Sequence, residues 1–219
     1  MTIMDSALIG FLKQDYPAHF RMAWDDDTMQ IRKEEHPSGK FEIMDQRPAI
    51  IQYRGHGVSV INNNSRIKVE IIDFEHYINL YKNTQAGMGR KCDFIINPVA
   101  GYDFIIFNEL TEGESRYIAP FTFPETGERK EGKRAYAKKQ LEISIEKFYS
   151  INDFLDGYKK KVALFSCKLS DGKPNSHMTK SITAFRKPQK ILSNIRSNEP
   201  MVHGFIFEQR IYDKEYKVI

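Results

Sequence analysis

Apolar residues recur at a period near two over much of the chain and near 3.6 in four places. Residues 4–14 put Ala7, Leu8, Phe11 and Leu12 near one helical face, and Pro17 is expected to stop that helix. Short strands are expected at 20–24, 29–33, 41–44, 49–53, 58–62 and 66–72. Turn-forming runs such as Asp25-Asp26-Asp27, His36-Pro37-Ser38-Gly39 and residues 45–48 separate them, a spacing that suggests an antiparallel meander. Asp73 reads as an N-cap for a short helix over 74–81, where Phe74, Tyr77, Ile78 and Tyr81 share a face. Residues 92–97 and 103–109 form the clearest hairpin, with its turn at 98–102. Residues 111–131 read as a long loop, and a loop of that length in a compact domain is usually functional. The strongest helix spans 133–151, with Leu141, Ile145 and Phe148 as its apolar stripe. A buried strand follows at 161–167, then a polar, turn-rich stretch at 170–181 and a helix at 189–196. A closing strand pair is expected at 203–208 and 211–218. The expectation is one α+β domain with a mixed sheet, a central antiparallel hairpin and flanking helices. Residues 1–62 form a helix and an accessory β layer, and residues 66–219 the core.

The hairpin changes the picture by bringing two carboxylates together. A turn centred on Gly101 sets Asp93 opposite Glu109, and directly opposed residues point to the same face. Two adjacent carboxylates repel unless a proton or cation lies between them. Mg²⁺ suits such a pair, because it takes oxygen ligands and keeps waters for a phosphate. A one-residue slip would put the two on opposite faces.

Lys91-Cys92-Asp93-Phe94-Ile95-Ile96, then Phe104-Ile105-Ile106-Phe107-Asn108-Glu109-Leu110, then a helix containing Gln140-Leu141, resembles the PD-(D/E)XK nuclease superfamily. The resemblance covers residues 73–167. It implies a restriction-endonuclease-like core, Asp93 and Glu109 as metal ligands with Glu75 from the preceding helix as a third, and Mg²⁺ or Mn²⁺ as cofactor. It implies phosphodiester hydrolysis on nucleic acid, DNA ahead of RNA, and admits a homodimer. The family's lysine falls at Thr111, which carries no charge. Lys133 and Lys138 on the next helix are the nearest expected replacements, with Lys139 beside them. The family also expects a strand between its first helix and the Asp strand. Residues 82–90 make a poor one, so residues 66–72, ahead of the helix, are expected to take its place.

Charge sharpens this. The 219 residues hold 33 Lys and Arg against 29 Asp and Glu, a formal net charge of +4. Residues 129–190 hold 16 basic and 6 acidic residues; the rest holds 17 and 23. The excess is therefore local, as phosphate contacts require. Arg129, Lys130, Arg134 and Lys139 crowd the start of the long helix, with Tyr136 among them to stack on a base. Arg186 and Lys187 extend the track.

Other signals exclude more than they assert. No apolar run is long enough for a membrane span, and residues 1–14 lack the layout of a signal peptide. Cys92 and Cys167 have neither disulfide-framework nor metal-ligand spacing, and both are expected as reduced thiols in a cytoplasm. The six histidines are scattered and disfavour zinc. Gly87-Met88-Gly89-Arg90 lacks the spacing of a phosphate-binding loop. Two other functions fit the same residues: a catalytically inactive nuclease-like protein for nucleic-acid binding or assembly, and a protein–protein interaction module.

Overall fold

A computed structural model describes residues 5–45, 48–114, 117–123, 125–170, 198–212 and 214–218. The expectations at 171–181 and 189–196, with Arg186 and Lys187, lie outside the described residues. The helices are α1 (Ala7–Lys13), α2 (Asp15–His19), α3 (Phe74–Asn79) and α4 (Lys133–Tyr149). The strands are β1 (Lys33–His36), β2 (Gly39–Ile43), β3 (Ile51–Gln52), β4 (Ser59–Asn63), β5 (Val69–Asp73), β6 (Phe94–Pro98) and β7 (Phe104–Glu114). The remaining strands are β8 (Phe121–Thr122), β9 (Arg129–Lys130), β10 (Lys160–Ser170), β11 (Glu199–Pro200), β12 (Ile206–Ile211) and β13 (Tyr216–Lys217). No helix among them is long and apolar enough to cross a membrane.

The architecture is α+β. A seven-stranded mixed sheet has the order β1-β5-β6-β7-β10-β12-β11, and a four-stranded sheet has the order β13-β4-β2-β3. The large sheet is buried on both faces, which is why its central strands read as continuous apolar runs. On one face Ile95, Ile105, Phe107, Ala163 and Phe165 meet Leu8 and Phe11 of α1, Phe74 and Tyr77 of α3, and Leu141, Ile145 and Phe148 of α4. On the other face Ile71, Phe94, Ile96, Phe104, Ile106 and Leu164 meet Phe41, Ile43, Ile61, Tyr216 and Val218 of the small sheet. The Ser59 and Ser166 hydroxyls bond across that interface at 2.8 Å.

Several sequence expectations need correction. Pro17 does not end the first helix; it lies inside α2, at the third helical position, where its missing N–H has no carbonyl to serve. Residues 20–24 form no strand. The N-terminal strands are not one meander, since β1 joins the large sheet against β5 while β2, β3 and β4 form the small one. The C-terminal strands do not pair with each other. Strand β12 runs parallel to β10, and β13 runs parallel to β4. The long loop at 111–131 is partly strand: β7 continues to Glu114, and β8 pairs with β9 as a small hairpin.

Helix α4 follows that hairpin directly, and Gly132 is its N-cap. A Cβ at Gly132 would lie 2.2 Å from the Ile118 carbonyl oxygen and 2.3 Å from the Ala119 carbonyl carbon. Backbone cannot yield as a flexible side chain does. Gly132→Ala is therefore expected to cost about 1–3 kcal/mol, as overpacking does, and a urea denaturation midpoint would show it.

Candidate metal centre

The hairpin of β6 and β7 pairs Phe94 with Asn108, Ile95 with Phe107 and Ile96 with Ile106. That register continues to Asp93 opposite Glu109. Gly101 turns the chain with φ of 86°, a conformation that glycine adopts without penalty. The Leu110 N–H donates to Asp93 Oδ2 at 2.6 Å, which holds the carboxylate against β7. The Asp93 carbonyl accepts the N–H groups of Phe74 at 2.9 Å and Glu75 at 3.1 Å, tying the strand start to the first turn of α3. Asp73 caps α3 by accepting from the His76 N–H at 2.8 Å, and Arg32 pairs with its other oxygen at 2.9 Å. Strand β5 stands directly ahead of α3, and residues 82–90 form no strand.

These ties bring Glu75 beside Asp93, and a third carboxylate joins them. Oxygens of Asp45, Glu75 and Asp93 all lie within 4.8 Å of one another. Asp45 follows β2 and comes from the small sheet. Glu109 is buried behind the group, and its Oε2 has no hydrogen-bond partner among the described residues. Asp93 and Asp45 line a cleft of about 430 Å³ together with Met44, Val58, Leu110, Thr111 and Glu112. One wall belongs to each sheet.

Lys91 brings an ammonium to the group. Its Nζ is 3.4 Å from Glu75 Oε1, and its side chain is only 11% exposed. Helix α4 fixes this segment: Gln140 Nε2 donates to the Lys91 carbonyl at 2.9 Å, and the Cys92 N–H donates to Ser144 Oγ at 2.8 Å. Gln140 also hydrogen-bonds the Glu109 side chain.

Burial is the main force on the acidic pair. Desolvation raises the Asp93 carboxyl, against the Leu110 hydrogen bond that lowers it, and the charges of Asp45 and Glu75 raise it further. Desolvation also raises Glu109, and Asp93, Glu75 and Asp45 add to it. The pair shares this cost, so together the two hold protons well above the ordinary carboxylate range. A divalent cation would remove that cost by replacing the protons.

The other predicted residues divide. Lys133 extends along β7 and donates to the Glu112 carbonyl at 2.7 Å. Lys138 does not face the carboxylates; it pairs with Glu199 at 3.0 Å, and Arg134 pairs with the same carboxylate. Arg134 also donates to Gln209 at 3.1 Å and lies 4.9 Å from the Phe207 ring centroid. Much of the basic charge at the helix start is thus consumed internally. Arg129, Lys130 and Lys139 are exposed, although Lys130 pairs with Glu128. Tyr136 is exposed, and the Arg90 guanidinium lies 4.9 Å over its ring. Sequence reasoning missed Asp45, which read only as a turn residue, and gave Lys91 no role beyond its place in the hairpin motif. Both cysteines are free and buried. No family model, curated protein or solved structure matches this chain, so its site is known from its own geometry alone.

Proposed function

We propose that the chain is a metal-dependent nuclease-like protein that hydrolyses phosphodiester bonds of nucleic acid. The observation that carries this reading is the meeting of Asp93, Glu75 and Asp45, two of which line a cleft, with an unpartnered, buried oxygen of Glu109 beside them. The order of α3, the antiparallel β6–β7 hairpin, α4 and the parallel strand β10 also fits the core of the PD-(D/E)XK superfamily. Asp93, Glu109 and Glu75 would hold Mg²⁺ or Mn²⁺. Bound there, the ion supplies Lewis-acid polarisation of a phosphoryl oxygen and a water of lowered pKa. Lys91 takes the part that Thr111 cannot, setting a positive charge beside the carboxylates where anionic charge develops. Arg129, Lys130, Lys139 and the Arg90–Tyr136 pair offer the phosphate and base contacts.

The test is incubation of the purified protein with plasmid and single-stranded substrates in Mg²⁺ or Mn²⁺. Cleavage that stops on chelation is the expected result. Thr111 lines the cleft without charge, which favours a second reading, nucleic-acid binding without cleavage. Steeply salt-dependent binding with no cleavage would select that reading. Lys91→Met separates the roles of lysine and carboxylates. It is expected to lower kcat by about 100-fold, as removal of one electrostatic donor does, while Mn²⁺ binding measured calorimetrically persists.

A further inference from the structure

The accessory β layer had no assigned role, yet it delivers one of the clustered carboxylates. We infer that Asp45 is a ligand of the cation and that the cation joins the small sheet to the core across the cleft. This rests on the reading of the site as a metal centre. Asp45 belongs to the segment between β2 and β3, whereas Glu75 belongs to α3 and Asp93 directly precedes β6 of the large sheet. Their oxygens lie within 4.8 Å of one another, close to twice a metal–oxygen distance of about 2.0–2.5 Å. One ion can therefore touch all three with small rotations of the side chains.

The described residues on either side of Asp45 are tied into the fold. The Met44 N–H donates to the Ile50 carbonyl at 3.1 Å. The Ile50 and Ile51 N–H groups donate to the Glu34 carboxylate at 2.6 and 2.9 Å, which ties the segment to β1 of the large sheet. Arg32 reaches the Pro48 carbonyl at 3.3 Å. Anchors on both strands of the crossing thus aim Asp45 at the cleft.

An independent observation points to a ligand. Glu109 is only 7% exposed, and its Oε2 has no partner among the described residues. A carboxylate oxygen buried without a donor is costly unless something else fills its lone pairs. Lys91 pairs with Glu75 at the edge of this group. Arg32 is already committed to Asp73.

Mn²⁺ titration of the full chain, read by electron paramagnetic resonance of the free ion, tests the inference. Asp45→Asn is expected to weaken Mn²⁺ binding by about 10- to 100-fold. It should also abolish Mn²⁺-induced hydrogen-exchange protection of residues 44–58. Asp93→Asn should abolish binding altogether. Asp45→Cys adds a direct signature: a thiolate favours a soft ion, so this variant should bind Cd²⁺ with an ultraviolet thiolate-to-metal band absent from Asp45→Asn. Wild-type affinity in Asp45→Asn, with binding lost in Asp93→Asn, overturns the role of Asp45 and leaves the metal centre standing. No Mn²⁺ binding by the wild-type chain overturns both.

Discussion

Asp93→Asn and Glu109→Gln each lower Mn²⁺-dependent cleavage by about three orders of magnitude or more in the expected outcome, and the double variant falls no further than the worse single one. The size follows from what is removed. A metal ion supplies several kcal/mol of transition-state charge stabilisation, and each 1.36 kcal/mol is about tenfold in rate. The non-additivity follows from shared duty, since residues that act as one unit are lost as one unit. Amides are the right replacements here. Asparagine still offers an oxygen to the Leu110 N–H, and glutamine still meets Gln140, so the local fold is kept. Thermal denaturation confirms that the variants fold, and gel-based cleavage of a labelled strand reads the rate. Cleavage persisting within tenfold of wild type in the double variant would sink the site assignment.

The hairpin was legible because its signal is local. A glycine able to adopt positive φ, two apolar runs of matched length and the period-two alternation together leave one register, and β6 and β7 adopt it. The cap and face of α3 were legible for the same reason, because Asp73 and the apolar positions lie within one turn of each other. Asp45 was not legible, since its place depends on the small sheet packing over the face of Ile71, Phe94 and Ile106. Those partners lie more than twenty-five residues from Asp45 along the chain. The basic helix start misled in the opposite direction. Arg134 and Lys138 look free in sequence, yet Glu199 on β11 takes both, a partner more than sixty residues away. Charge density read along a chain counts the cations and misses their distant acidic partners. The resemblance pointed to a lysine at 111, yet the ammonium near Glu75 belongs to Lys91, two residues before Asp93 in the segment that leads into β6.

Burial of the acidic pair makes the metal-free protein pH-sensitive in an uncommon direction. In the unfolded chain both carboxyls titrate near their ordinary values, about 4. In the fold, desolvation first and repulsion from neighbouring carboxylates second hold their protons to higher pH. Above pH of about 4, until the raised folded-state values are passed, the native state binds more protons than the unfolded state. Stability contributed by this pair therefore falls as pH rises, the reverse of a salt-bridged carboxylate. Glu109→Gln removes one ionisable member and fills its site with a neutral amide. In chelator at pH 8 it is expected to be more stable than wild type, by about 1–3 kcal/mol, and the gain should shrink at pH 5. For a chain of this size each kcal/mol moves Tm by about 2–4 °C, which differential scanning calorimetry resolves easily. Mn²⁺ reverses the ordering. A cation that binds only the folded state stabilises it, and it does so more strongly at pH 8, where fewer protons must be displaced. Wild type should gain several degrees on adding Mn²⁺ and Glu109→Gln markedly less. A wild-type Tm in chelator that rises from pH 5 to 8 in step with the variant would show that Asp93 and Glu109 are not the proton-holding pair.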